Sequence, residues 1–279
     1  FRPLLSPAMQ DKLPRTTSPG QLPTRAHARK MLVLEGCVQP AMAPNINAAT
    51  ARVLDAVGVQ LVVAPKAGCC GALRFHMNDQ EAGLDDMRHN IDAWWPMVEQ
   101  VEAIVMTASG CGVTVKEYGH LLAHDSAYAE KAKRISGMTR DLSEIVPQFE
   151  AELATRQVGA LEPEREAELA ARLKGTFEKR VAYHPPCTLQ HGQQIRGKVE
   201  KVLHAVGFDV HLCVDNHLCC GSAGTYSVLQ PELSLALRDR KLAGLQATRP
   251  EVIVSANIGC QTHLQSGTDT PVSHWIELL

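Results

Sequence analysis

The chain has 279 residues, 45% of them apolar, 21% charged, with a net charge of −2, enough apolar material for one large folded domain or two of ordinary size. No lysine/arginine block marks a nucleic-acid footprint, and no apolar run reaches the roughly 18 to 20 residues that a membrane-spanning helix needs. The expectation is a globular cytoplasmic chain that binds no nucleic acid and reaches a membrane only through a partner.

The first thirty residues, FRPLLSPAMQDKLPRTTSPGQLPTRAHARK, begin at Phe1, are proline-rich and turn basic toward their end. They lack periodicity and are too charged for a signal peptide. They read as an extended linker, residues 1–30, leaving something upstream, and the chain as a fragment of a longer protein.

From there the sequence alternates strands and helices. MLVLEGC (31–37) is a short apolar run. NINAATARVLDAVG follows with asparagine at a helix cap, apolar Ala49, Val53, Leu54 and Val57 at helical spacing, and Gly58 as a stop. VQLVVAP and AIVMTAS are the next strands, with helical sequence between them from about Asp79 to Val101. A segment from about Met138 to Glu178, rich in alanine, glutamate and arginine, reads as a helical connection. RVAYHPPC, FDVHLCVD and EVIVSANIGC are the strands of a second half, joined by helices near 193–206 and 228–246. Strands apolar on both faces that alternate with helices predict an α/β fold with mostly parallel sheets covered on both sides.

The two halves share one design. Cys37, Cys69, Cys70 and Cys111 are spaced C-x31-CC-x40-C, and Cys187, Cys219, Cys220 and Cys260 C-x31-CC-x39-C. Between these markers RVLDAVG (52–58) matches KVLHAVG (201–207), and EAIVMTASGCG (102–112) matches EVIVSANIGCQ (251–261). The expected organisation is a linker (1–30), a first cysteine-rich half (31–150), a helical connector (151–179) and a second cysteine-rich half (180–279). Each half is a small Rossmann-like unit.

Every signature cysteine falls at or just past the carboxyl end of a predicted strand, where open parallel sheets gather their ligand sites. Nine cysteines are an odd count. Clustered thiols in a cytosolic chain point to metal or redox chemistry rather than disulfides, and vicinal cysteines bridge each other only under strain. Four thiols suit zinc or an iron–sulfur cluster. Structural zinc sites usually draw on C-x2-4-C knuckles, and no CxxC occurs here. A cluster of several irons is wide enough for adjacent residues to reach different metal atoms. The cluster is therefore the favoured reading and zinc the other.

Gly68, Gly71, Gly110, Gly112, Gly221 and Gly259 flank the cysteines. Of these, Gly71, Gly110, Gly221 and Gly259 are the candidate cofactor-binding glycines, able to adopt positive φ and point N–H groups at an anionic cluster. A glycine that only makes the turn is the plainer explanation for one or two of them. Cys213 lies outside the repeat and reads as core packing. His184, His191 and His217 flank the signature cysteines as ligands or as hydrogen-bonding neighbours. Trp94, Trp95 and Trp275 read as core or interface. Lys116, Glu117 and Tyr118 follow Cys111 on a helix, lining the crevice or facing solvent. No serine triad, phosphate-binding loop or GxGxxG after a strand is present, so no catalytic residue is assigned and any flavin must sit in a partner.

LEGCVQP, GCCGA, NIDAWWP, ASGCGVTVKEYG, PCTLQH, HLCCGSAGTYS and ANIGCQTHL together resemble the cysteine-rich CCG domain family. That family includes the catalytic subunit of heterodisulfide reductase and, more similar still, the iron–sulfur subunits of bacterial glycolate oxidases. The resemblance covers about residues 30 to 279. It implies an electron-transfer subunit, inactive alone, of an oxidoreductase that converts glycolate to glyoxylate. It also implies a 4Fe–4S cluster in each half, cubane or noncubane, and flavoprotein partner subunits carrying FAD. A ferredoxin module on the N-terminal side is implied as well, with attachment through the complex to the cytoplasmic face of the inner membrane. The alternatives are a disulfide-active subunit like heterodisulfide reductase, or the equivalent subunit of a lactate or glycerol 3-phosphate dehydrogenase. One departure stands out: where the heterodisulfide reductase relatives continue the last cysteine of the motif into CxxC, this chain has Thr114 and His263.

Overall fold

The computed structural model describes residues 18–151, 153 and 179–279. Residues 1–17 of the expected linker, and nearly all of the expected connector 151–179, lie outside the described residues. Two compact units result: residues 18–145 with 191–194, and residues 146–151, 153, 179–190 and 195–279.

In the first unit the chain runs β1 (Arg29–Leu34), α1 (Asn45–Ala56), β2 (Val59–Val63), α2 (Gln80–Trp94), β3 (Ile104–Met106), α3 (Ser109–Leu121), α4 (Ala129–Met138) and β4 (Thr139–Asp141). The strands form one parallel sheet in the order β2-β1-β3-β4. Met31–Leu34 and all of β3 are buried, as a sheet covered on both faces requires. Edge strand β2 is only partly covered. Leu32, Ile91, Trp94, Ile104 and Tyr118 have no solvent exposure, and each such side chain contributes about 1.5–3 kcal/mol of transfer free energy, upper bounds for a collapsed unfolded chain.

The second unit repeats the plan with β5 (Arg180–His184), α5 (Lys198–Ala205), β6 (Asp209–Leu212), α6 (Pro231–Gln246), β7 (Val252–Ser255), α7 (Ile258–Gln265) and β8 (Val272–His274). Its parallel sheet has the order β6-β5-β7-β8. The register repeats too: Leu32 faces Ile104 in the first sheet, and Ala182 faces Ile253 in the second. The pseudo-repeated α/β design expected from the cysteine spacing is the observed one.

Several elements differ from expectation. Thr139–Asp141, within the segment read as helical, is the fourth strand, since its residues pair with Ile104–Met106. Three residues are too few to show a period. The helix expected to end near Val101 stops at Trp94, and Pro96 continues it as a 3-10 turn to Gln100. Asn45 is not a cap: Pro44 holds that position, and the Asn45 side chain accepts from Arg52 Nη2 at 2.9 Å. The helix near 193–206 starts only at Lys198, after a left-handed Gly197. Residues 18–27 carry no regular element, and Arg25 and His27 clasp Asp55 on α1.

Candidate metal centres

In each sheet the strand order reverses between the first and third strands in sequence, and the loops beyond their carboxyl ends open the crevice where parallel sheets hold ligands. Cys37 follows β1, Cys69 and Cys70 follow β2, and Cys111 is in the first turn of α3. Cys187 follows β5, Cys219 and Cys220 follow β6, and Cys260 is in the first turn of α7. All nine cysteines are free thiols. In both sets the second of the vicinal pair is buried, while the first of the pair and the leading cysteine keep some exposure.

The sulfurs of each set form one chain of contacts. Cys37 donates to Cys69, Cys70 bridges Cys69 and Cys111, and Cys187, Cys219, Cys220 and Cys260 repeat that order. Cys187 Sγ and Cys219 Sγ are 3.9 Å apart. The protonation pattern follows. Cys69 and Cys219 are held far below the ordinary thiol range, first by the thiols of Cys37 and Cys187, then by Cys70 and Cys220. Cys111 and Cys260 are lowered first by Cys70 and Cys220. The donors are correspondingly raised: Cys37 and Cys187 by their bonds to Cys69 and Cys219, Cys70 first by Cys111, and Cys220 first by Cys219. Each set thus brings four sulfurs into mutual contact, and a cationic centre bound there would displace the protons they share.

The backbone is shaped around the vicinal pairs. Gly71 (φ 85°) and Gly221 (φ 90°) are left-handed, and their N–H groups reach back to Cys69 Sγ at 3.5 Å and Cys219 Sγ at 3.3 Å. Gly110 and Gly259 do not share that geometry. They lie in the first turns of α3 and α7 with ordinary φ, because the helices begin before the cysteines. A side chain at Gly259 would meet Ser222 Oγ at 2.9 Å. Gly36, beside Cys37, is also left-handed (φ 80°), a feature no motif announced.

In the first unit Asn90 and Tyr118 pin the vicinal turn. Asn90 Nδ2 donates to the Cys69 carbonyl at 2.6 Å, its Oδ1 accepts from Gly68 N at 2.8 Å, and Tyr118 donates to the Cys70 carbonyl at 2.9 Å. Tyr118 is therefore a buried support of the site, while Glu117 is exposed and Lys116 pairs with Glu144. In the second unit Ser234 Oγ donates to the Gly221 carbonyl at 2.8 Å.

Among the histidines, His184 is wholly buried, and one of its ring nitrogens lies with Cys220 Sγ and Cys260 Sγ in a group whose atoms are all within 4.8 Å of one another. It helps to lower Cys260, yet neither ring nitrogen has a hydrogen bond of normal geometry among the described residues. His263 Nε2 instead meets Ser234 at its hydroxyl (3.2 Å) and carbonyl (3.3 Å), and Thr114 donates to the Gly110 carbonyl. His191 and His217 are exposed. Cys213 is buried in the second core, with Lys241 Nζ 3.8 Å from its sulfur. Trp94 and Trp275 are fully buried, while Trp95 is 40% exposed under a Lys131 ammonium 5.5 Å from its ring centroid. No helix of the described residues is long and apolar enough to cross a membrane.

Residues 31–116 and 181–265 each match the family described as CCG, cysteine-rich domain. The chain is 49% identical over 282 aligned residues to the glycolate oxidase iron-sulfur subunit of Escherichia coli (strain K12), covering 100% of this chain and 64% of that protein. It is 28% identical to the probable glycolate oxidase iron-sulfur subunit of Bacillus subtilis (strain 168), covering 86% of this chain and 50% of that one. It is 27% identical to lactate utilization protein A of Bacillus licheniformis, covering 80% and 85%. The chain thus spans between half and two thirds of the two glycolate oxidase relatives.

Proposed function

We propose, for a chain that belongs to the cysteine-rich CCG domain family and carries its module twice, that it is the iron–sulfur electron-transfer part of a flavin-dependent glycolate oxidase complex. Its modules are residues 31–150 and 180–279, joined through 151–179. One observation carries this reading: in each half three loops at strand ends bring four free cysteine sulfurs into a single chain of contacts. The likeness to the E. coli subunit, 49% over the whole chain, supports the choice of glycolate.

The donor set fits an iron–sulfur cluster. Four thiolates per half satisfy a 4Fe–4S centre, and vicinal sulfurs reach neighbouring metal atoms of an extended group more readily than a single tetrahedral ion. Cys37, Cys69, Cys70 and Cys111 would hold one cluster, and Cys187, Cys219, Cys220 and Cys260 the other. Thr114 and His263 are occupied by backbone and Ser234 contacts, so neither takes the place of a fifth thiol, and cubane clusters are the form proposed. When bound, such a cluster accepts and releases one electron without proton or group transfer.

The chain's own contribution is to bind and tune. The Gly71 and Gly221 N–H groups, aimed at Cys69 and Cys219, stabilise charge on sulfur, and the buried sheets keep water from the inner cysteines. FAD in flavoprotein partners would oxidise glycolate, and groups held by the two cysteine sets would supply a one-electron relay, with an N-terminal ferredoxin module, toward the respiratory chain at the cytoplasmic face of the inner membrane. The test is co-purification from the native host under anaerobic conditions. Flavoprotein subunits should accompany this chain, and added glycolate should reduce its iron–sulfur signal. Reduction by lactate but not glycolate would overturn the substrate.

A further inference from the structure

The two sulfur sets are built alike, but their surroundings differ at equivalent positions. Three residues before Cys37 stands Leu34, and three before Cys187 stands His184. Three residues before Cys111 stands Ala108, and three before Cys260 stands Asn257. Both His184 and Leu34 end the strand next to the switch point and are 0% and 2% exposed. Asn257 Nδ2 lies 3.7 Å from Cys260 Sγ, a donor that Ala108 cannot supply. One ring nitrogen of His184 lies with the sulfurs of Cys220 and Cys260 in a group whose atoms are all within 4.8 Å of one another, and His184 helps to lower Cys260.

The helix behind each vicinal pair differs in the same sense. A Cβ at Gly71 would face the Gly83 carbonyl and Asp86, and one at Gly221 the Ser234 carbonyl and Leu237. That match aligns α2 with α6, and Asn90 then takes the place of Lys241. Lys241 is 3% exposed, and its Nζ donates to the Asp215 carbonyl at 2.6 Å. In the first unit the corresponding position carries the neutral Asn90 amide, and the Arg74–Asp86 ion pair lies nearby, its guanidinium helping to lower Cys69. The second site thus gains an imidazole and an amide donor where the first has leucine and alanine, and the helix behind its vicinal pair carries a buried lysine in place of asparagine.

We infer that the two sites are electrochemically distinct, with the group held by Cys187, Cys219, Cys220 and Cys260 at the higher reduction potential and His184 and Asn257 as the positioning residues that raise it. The inference rests on the iron–sulfur reading above. Donors and positive charge stabilise the more negative reduced form, which moves a cluster's potential upward.

The experiment is an EPR-monitored redox titration of this chain, purified anaerobically, with iron and sulfide counted on the same samples. Two midpoints should resolve. His184→Leu and Asn257→Ala should each lower the upper midpoint, leave the lower one in place and retain the iron. Leu34→His should raise the lower one. A single common midpoint, or a His184→Leu protein with both midpoints unchanged, overturns the asymmetry. Loss of about half the iron in His184→Leu, with Asn257→Ala leaving both midpoints unchanged, makes His184 a ligand and likewise overturns its positioning role. Absence of iron and sulfide from the unaltered chain defeats the iron–sulfur reading itself, a result distinct from iron bound at one common potential.

Discussion

Gly221 and Cys219 are joined by a backbone N–H that reaches the sulfur two residues earlier at 3.3 Å, with Gly221 at φ 90°. Any side chain at Gly221 would also strike the Ser234 carbonyl. Gly221→Ala should therefore destabilise the second unit by about 1–3 kcal/mol, from left-handed strain plus the collision. Gly71→Ala should act likewise on the first unit, where the Gly83 carbonyl is 2.5 Å from the new Cβ. Gly137→Ala, with open space around its Cβ, should be near neutral. Chemical denaturation of the three variants checks the order.

Tyr118 carries the Cys70 carbonyl from below. Tyr118→Phe removes a buried 2.9 Å hydrogen bond and leaves that carbonyl unpaired, at a cost of about 1–3 kcal/mol. The change should broaden or shift only the first-half cluster signal. An effect on both signals, or on neither, would contradict the support assigned to Tyr118.

Burial first, opposed by its bond to the Ser234 carbonyl, holds the His263 imidazole below its ordinary value. The unfolded chain protonates this histidine near pH 6.5, whereas the folded chain resists until the pH is lower. The unfolded state thus binds more protons in that window. Stability contributed by neutral His263 is present above about pH 6.5 and is lost as the pH falls toward the folded value. His263→Gln should flatten that part of the pH–stability curve. Urea titrations between pH 7.5 and 5, a window bracketing the ordinary value, provide the measurement.

Because each tetrad is assembled within its own unit, Cys70→Ser and Cys220→Ser should each remove about half of the iron, roughly four atoms, and leave the other half's signal intact. Loss of all iron from either single variant would contradict two independent sites.

The repeated fold was legible because cysteine spacing and the RVLDAVG/KVLHAVG match fix the same elements twice, and because central parallel strands are apolar on both faces. β4 and β8 were not legible. Each has three residues, too few to show a strand period, and each is fixed as a strand by its pairing with β3 or β7. Of the four candidate glycines, Gly71 and Gly221 have the expected left-handed backbone, while Gly110 and Gly259 lie in the first turns of α3 and α7. Tyr118 read equally well as solvated or lining; only the fold shows its hydroxyl under Cys70. The contrast of Leu34 with His184 was present in the aligned halves, whereas that of Asn90 with Lys241 emerges only from how α2 and α6 pack against Gly71 and Gly221; the significance of each depends on knowing which side chains face the sulfurs.

The most direct test of the account is the metal content of the chain purified without oxygen. The account predicts about eight irons with matching acid-labile sulfide and negligible zinc, four irons for each cysteine set. Stoichiometric zinc without sulfide, from protein made and kept under anaerobic conditions, would contradict it.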